Sequence, residues 1–108
     1  MTRVIYIPER YRLGAEGHAG AGEKGSDLVC AGMTALFAAA LAAMEQEEIR
    51  AEIKTDEQKG VIDIGAKPTT AQGATCRAIL DTIAAGIAAM AREHPDNVSF
   101  QRFIWGED

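Results

Sequence analysis

Residues that usually build metal clusters or disulfide frameworks are scarce in this sequence. It has two cysteines and two histidines in 108 residues, namely Cys30, Cys76, His18 and His94. Cationic residues are also in deficit, with 11 Lys and Arg against 16 Asp and Glu, a formal charge of -5 and a pI near 5.0. The few basic residues are scattered, which excludes the concentrated basic face that recognises a phosphate backbone, so no nucleic-acid partner is expected. The opening "MTRVIYIPERYR" lacks the apolar run and small-residue cleavage site of a secretory signal, and a reduced, cytoplasmic protein is the default. No apolar run reaches the roughly 20 residues a bilayer requires. The longest, Leu28 to Met44, is broken only by Thr34 and is largely alanine, so no membrane partner is expected. It reads as a helix buried on nearly all sides, with one face on a sheet and another on a second helix or a second subunit. Repeats and linkers are absent too, which leaves one domain over residues 1–108 with a single core.

What is present is a regular alternation of strand and helix patterns. "RVIYI", Arg3 to Ile7, is β-branched and aromatic and stops at Pro8, and a weaker strand runs from about Tyr11 to His18. Ser26 or Asp27 can cap the long helix that follows, because a short oxygen-bearing side chain accepts a hydrogen bond from an unpaired N–H of the first turn. Glu47 to Lys67 alternates apolar and charged residues around a polar, glycine-containing turn, the pattern of a hairpin with Ile49, Ala51 and Ile53 on one face. Pro68, Thr69 and Thr70 open a second helix in which Cys76, Ile79, Leu80, Ile83, Ile87 and Met90 recur at three- and four-residue steps. That helix stops near His94, before Pro95, and Asn97 to Trp105 reads as a last strand. The order β-β-α-β-β-α-β implies an α+β fold: a mostly antiparallel sheet with two helices packed on one face.

The chemistry concentrates in "GHAGAGEKGSDLVCAG", Gly17 to Gly32, where a histidine and a cysteine flank a loop with glycine at 20, 22 and 25. "GAGEKG" satisfies the G-x-G-x-x-G fingerprint literally, but the preceding segment is polar and glycine-broken rather than an apolar parallel strand. No Gly-Lys-Ser/Thr follows, so neither nucleotide motif fits. A metal at His18 and Cys30 would need two more ligands, and Cys76 falls on an apolar helix stripe while His94 sits at a helix end. No metal and no cofactor are therefore expected.

Nucleophilic catalysis suits the placement better. A thiol in the first turn of a helix meets partial positive charge that favours the thiolate. His18 reaches it only if the loop folds back, which Gly20, Gly22 and Gly25 permit. The imidazole can take the thiol proton and return it to a leaving amine, while N–H groups at the helix start stabilise the oxyanion. Asp27 either orients the imidazole or caps the helix. Thr34, one turn after Cys30, has a hydroxyl that either meets the thiol or substrate or bonds back to the Cys30 carbonyl.

Gly17, His18 and Ala19, the glycine-rich loop, Gly25, Asp27, the run Leu28 to Gly32 and the hydroxyl of Thr34 together resemble the signature of the ribosomal-processing cysteine protease family, Prp. The His-to-Cys spacing of twelve is that of the family. The resemblance implies a homodimeric cysteine endopeptidase with Cys30 as nucleophile and His18 as base, and a mobile cover formed by the loop between them. It implies as substrate the N-terminal extension of a large-subunit ribosomal protein, cut after an aromatic residue. Thr34 stands where the family usually has Ser, the segment before Gly17 is short, and the loop is rich in small residues. Two other expectations are compatible with these residues: a phage-encoded relative that processes a capsid or scaffold protein, and a non-catalytic dimeric module that holds an extended peptide.

Overall fold

The computed structural model describes residues 1–18 and 28–104. Strands β1 (Thr2–Ile7) and β2 (Arg12–Glu16) are joined by a short 3-10 turn at Pro8–Arg10, and helix α1 runs from Leu28 to Gln46. The hairpin β3 (Arg50–Asp56) and β4 (Val61–Lys67) follows, then helix α2 (Gly73–Glu93) and β5 (Val98–Arg102). All seven expected elements are present in the expected order. The strands form one sheet in the order β3-β4-β2-β1-β5, antiparallel throughout except where β5 lies parallel to β1.

Topology explains why both helices share a face. α1 carries the chain from β2 past β4 to β3, and α2 carries it from β4 past β2 and β1 to β5. These crossovers step in opposite directions from strands of opposite polarity, and the right-handed preference then puts both helices on the same side. There, Val4, Tyr6, Leu13, Ala15, Ile64, Ala66 and Val98 of the sheet meet Val29, Met33, Phe37, Ala40 and Met44 of α1 and Cys76, Leu80, Ile83 and Ile87 of α2.

α1 departs from the expected all-round burial. Only the stripe Val29, Met33, Phe37, Ala40 and Met44 is buried, and the intervening face, including Ala31, Ala35, Ala38, Ala39 and Ala42, is exposed. Alanine makes this arrangement tolerable, since each leaves only one methyl group in water. Both helices are long and apolar enough to cross a membrane by length and composition, but each contributes a stripe to the common core. They cross closely at two reciprocal glycine contacts: a Cβ on Gly32 would stand 3.2 Å from the Met90 side chain, and one on Gly86 would stand 3.4 Å from Leu36.

The helix ends are tied locally. α1 closes with the Ile49 N–H donating to the Met44 carbonyl at 2.8 Å, and Glu48 takes the left-handed conformation, φ 57°, at the position where glycine is usual. Gln72 joins that end to the start of α2. Its Nε2 donates to the Glu47 and Glu48 carbonyls, each at 3.2 Å, while its Oε1 accepts from the Thr69 N–H at 3.0 Å. Beneath α2, the buried Tyr6 hydroxyl donates to Asp81, which Arg77 also contacts at 3.1 Å.

Candidate active site

β2 ends at Glu16, and Gly17 turns the chain with φ +95°, a conformation that L side chains rarely adopt. A Cβ at Gly17 would stand 2.4 Å from the Met1 carbonyl oxygen, so the position is closed to any other residue without backbone movement. The Gly17 N–H is shared between the carbonyls of Lys59 at 3.2 Å and Gly60 at 3.1 Å, and the Gly17 carbonyl accepts from the Thr2 hydroxyl at 2.9 Å. Gly17 is thus held between the first strand and the β3–β4 turn. His18 follows directly, with its ring exposed and its Nε2 3.4 Å from the Gln58 carbonyl oxygen.

Cys30 is the third described residue of α1 and is partly buried. It packs at the margin of the core, one turn before Met33 and Thr34. The Thr34 hydroxyl makes the bond back to its own helix. Its Oγ1 donates to the Cys30 carbonyl at 3.0 Å.

His18 and Cys30 line one groove of about 410 Å³ between the flank of α1 and the β3–β4 end of the sheet. Phe37, Ala38 and Leu41 extend its wall along the helix, Ile62, Thr55 and Asp56 belong to its sheet side, and Glu57 lies on the turn. The lining is mainly apolar, with the two reactive side chains accompanied by Gly17, Gly60 and Thr34. A second hollow of about 570 Å³ lies on the opposite, helix-free face, among Arg3, Ile5, Arg12, Asp63, Gln101 and Phe103. It carries no thiol or imidazole, and its Arg12 and Asp63 side chains are paired at 2.8 Å.

Among the residues singled out in the sequence, the fold therefore brings Gly17, His18, Cys30 and Thr34 together. Asp27, Ser26 and the glycines at 20, 22 and 25 lie outside the described residues. Cys76 is elsewhere, fully buried in the core, where burial pushes its thiol up. His94 ends α2, its N–H donating to the Met90 carbonyl at 2.8 Å. Among the described residues no group of three or more His, Cys, Asp or Glu is arranged to hold a metal ion. Sequence reasoning missed the apolar groove wall of Phe37, Leu41 and Ile62 and the part taken by Gln58 and Gly60. The helical spacing of Cys30, Thr34, Phe37 and Leu41 along one flank was a usable signal for the wall. The approach of Gly60 to His18, 42 residues earlier, left none.

Comparison with known proteins bears on the family and the fold. The family model described as cysteine protease Prp matches residues 8–99. Among solved structures, the ribosomal processing protease Prp from S. aureus with a covalently linked product peptide superposes with a TM-score of 0.83 at 24% identity, covering 95% of this chain and all of that one. The same protease with a substrate peptide gives a TM-score of 0.77 at 23% identity over 95% of this chain and 100% of the other. SMU.848 from Streptococcus mutans also gives 0.77 at 23% identity, over 95% of this chain and 92% of its own. At these identities the likeness establishes a shared fold. No curated protein matches the chain by sequence.

Proposed function

The chain belongs to the cysteine protease Prp family, and from that premise we propose that it is an endopeptidase whose nucleophile is Cys30 and whose general base is His18. The observation that carries this reading is that the two residues, twelve apart in sequence, line one apolar groove long enough to follow the flank of α1. His18 takes the proton from Sγ, and the thiolate attacks the scissile carbonyl. N–H groups at the start of α1, that of Cys30 among them, hold the oxyanion. His18 then returns the proton to the leaving amine, and water releases the acyl group from Cys30 by the same route in reverse.

The substrate we propose is the N-terminal extension of a large-subunit ribosomal protein, by analogy with the S. aureus protease solved with a substrate peptide. Cleavage after an aromatic residue fits a groove walled by Phe37, Leu41 and Ile62, where a flat apolar side chain loses water against apolar neighbours. The active form in this reading is a cytoplasmic homodimer.

Differential alkylation tests the nucleophile. Under mild iodoacetamide at neutral pH, followed by mass spectrometry, Cys30 is expected to react much faster than buried Cys76, and His18→Ala is expected to slow Cys30 selectively. Equal, slow labelling of both thiols, unaffected by His18→Ala, would instead leave a groove that holds a peptide without cutting it.

A further inference from the structure

Among the described residues, no carboxylate or amide side chain hydrogen-bonds the His18 ring, and a base in such a dyad must be held in one tautomer and one orientation. Among the described residues, the β3–β4 turn supplies two close neighbours of the ring. Nε2 lies 3.4 Å from the Gln58 carbonyl oxygen, and Cε1 lies against Gly60, where an added Cβ would stand only 3.1 Å away. The same Cβ would stand 3.0 Å from both the carbonyl carbon and the carbonyl oxygen of Gly17. Gly60 itself has φ +64°, and its carbonyl and that of Lys59 both accept from the Gly17 N–H. Three consecutive residues of one turn, Gln58, Lys59 and Gly60, thus converge on the Gly17–His18 dipeptide. β4 ties that turn to the sheet through its antiparallel pairing with β2, the strand that delivers His18.

We propose that the β3–β4 turn is the positioning element of the catalytic base, with the Gln58 carbonyl fixing the Nε2–H tautomer and Gly60 supplying the close approach that seats the ring. This rests on the reading of His18 and Cys30 as a dyad. A carbonyl oxygen can only accept, so the nitrogen facing it carries the proton, and Nδ1 is left with the lone pair. The Sγ proton passes to Nδ1, leaving a thiolate and an imidazolium with both nitrogens protonated. Nε2–H remains directed at the Gln58 carbonyl. Nδ1 later gives its proton to the leaving amine, which restores the starting tautomer.

Two measurements on the full chain test this. The first is the tautomer of His18, read from nitrogen-15 shifts in long-range proton–nitrogen correlation spectra of the Cys30→Ala protein, at a pH above the imidazole titration. A proton on Nε2 alone is expected, and a proton on Nδ1 would overturn the assignment. The second is Gly60→Asn, since asparagine tolerates positive φ and so isolates the effect of the added Cβ. Displacing the ring is expected to lower kcat by about 10- to 100-fold with KM nearly unchanged, and to mix the tautomers of His18. Wild-type kcat together with an unchanged tautomer in a folded Gly60→Asn protein would overturn the positioning role while leaving the dyad intact. Failure of the wild type to cut any peptide would instead remove the dyad reading. The tautomer measurement needs no change in the turn, so it decides the matter even where Gly60→Asn does not fold.

Discussion

Replacing Gly17 by alanine perturbs the point where the first strand, the β3–β4 turn and the base meet. Left-handed backbone costs an L residue about 1–2 kcal/mol, and Gly17 has φ +95°. The new Cβ would also stand 2.4 Å from the Met1 carbonyl oxygen, a distance that forces backbone to move. Moving it strains the Thr2 hydroxyl bond to the Gly17 carbonyl and the bonds from the Gly17 N–H to Lys59 and Gly60, each worth about 1 kcal/mol. The expected loss is about 2–4 kcal/mol, which a urea unfolding curve with a slope of about 2 kcal/mol/M registers as a midpoint roughly 1–2 M lower. Gly65→Ala is the internal reference. It lies on the open face of β4, where the nearest atom to a new Cβ is the Glu52 carbonyl oxygen at 4.0 Å, and it is expected to change stability by less than about 1 kcal/mol. Equal midpoints for the two variants would refute the claim that Gly17 is fixed by its conformation and its contacts.

Other expectations follow from individual contacts. Glu48→Gly relieves a left-handed residue at the end of α1 and should raise stability by about 1 kcal/mol in the same urea assay. Burial, and then the Asp81 carboxylate, push ionisation of Tyr6 above its ordinary value of 10. The unfolded chain therefore loses this proton first, so the stabilisation is complete below about pH 10 and falls as pH rises beyond it. Tyr6→Phe should cost about 1 kcal/mol at neutral pH and flatten the alkaline decline in unfolding free energy, and an unchanged decline would contradict the assignment. Thr34→Val should keep peptidase activity within a few fold, because the hydroxyl is already committed to the Cys30 carbonyl at 3.0 Å. A loss of activity near that of Cys30→Ala would show instead that the hydroxyl acts on the thiol or the peptide.

The elements were legible because each has its own periodicity: β-branched alternation in β1, the polar turn of the β3–β4 hairpin, and the apolar steps of α2 from Cys76 to Met90. The parallel pairing of β5 with β1 was not, because it joins the two ends of the chain and depends on where the crossovers land. α1 misled for a different reason. Hydropathy counts an alanine as apolar wherever it points, so Leu28 to Met44 read as wholly buried although one stripe carries the packing. At the site, His18 and Cys30 stood out through residue type and spacing. Gly60 and the Gln58 carbonyl did not, since a turn glycine and a main-chain oxygen carry no signature of what they touch. Gly17 and Gly32 belong to the recognisable motif, but nothing in the sequence shows why glycine is needed at either position. The reasons are the Met1 carbonyl beside Gly17 and the Met90 side chain beside Gly32.

The central claim, that Cys30 and His18 form a peptide-cutting pair, is tested most directly by mass spectrometry of a synthetic peptide carrying a ribosomal-protein N-terminal extension with one aromatic residue at its end. Wild-type protein is expected to release two fragments that meet immediately after the aromatic residue, and Cys30→Ala and His18→Ala to leave the peptide intact over the same interval. An uncut peptide with the wild type, or equal cutting by Cys30→Ala, would contradict the account.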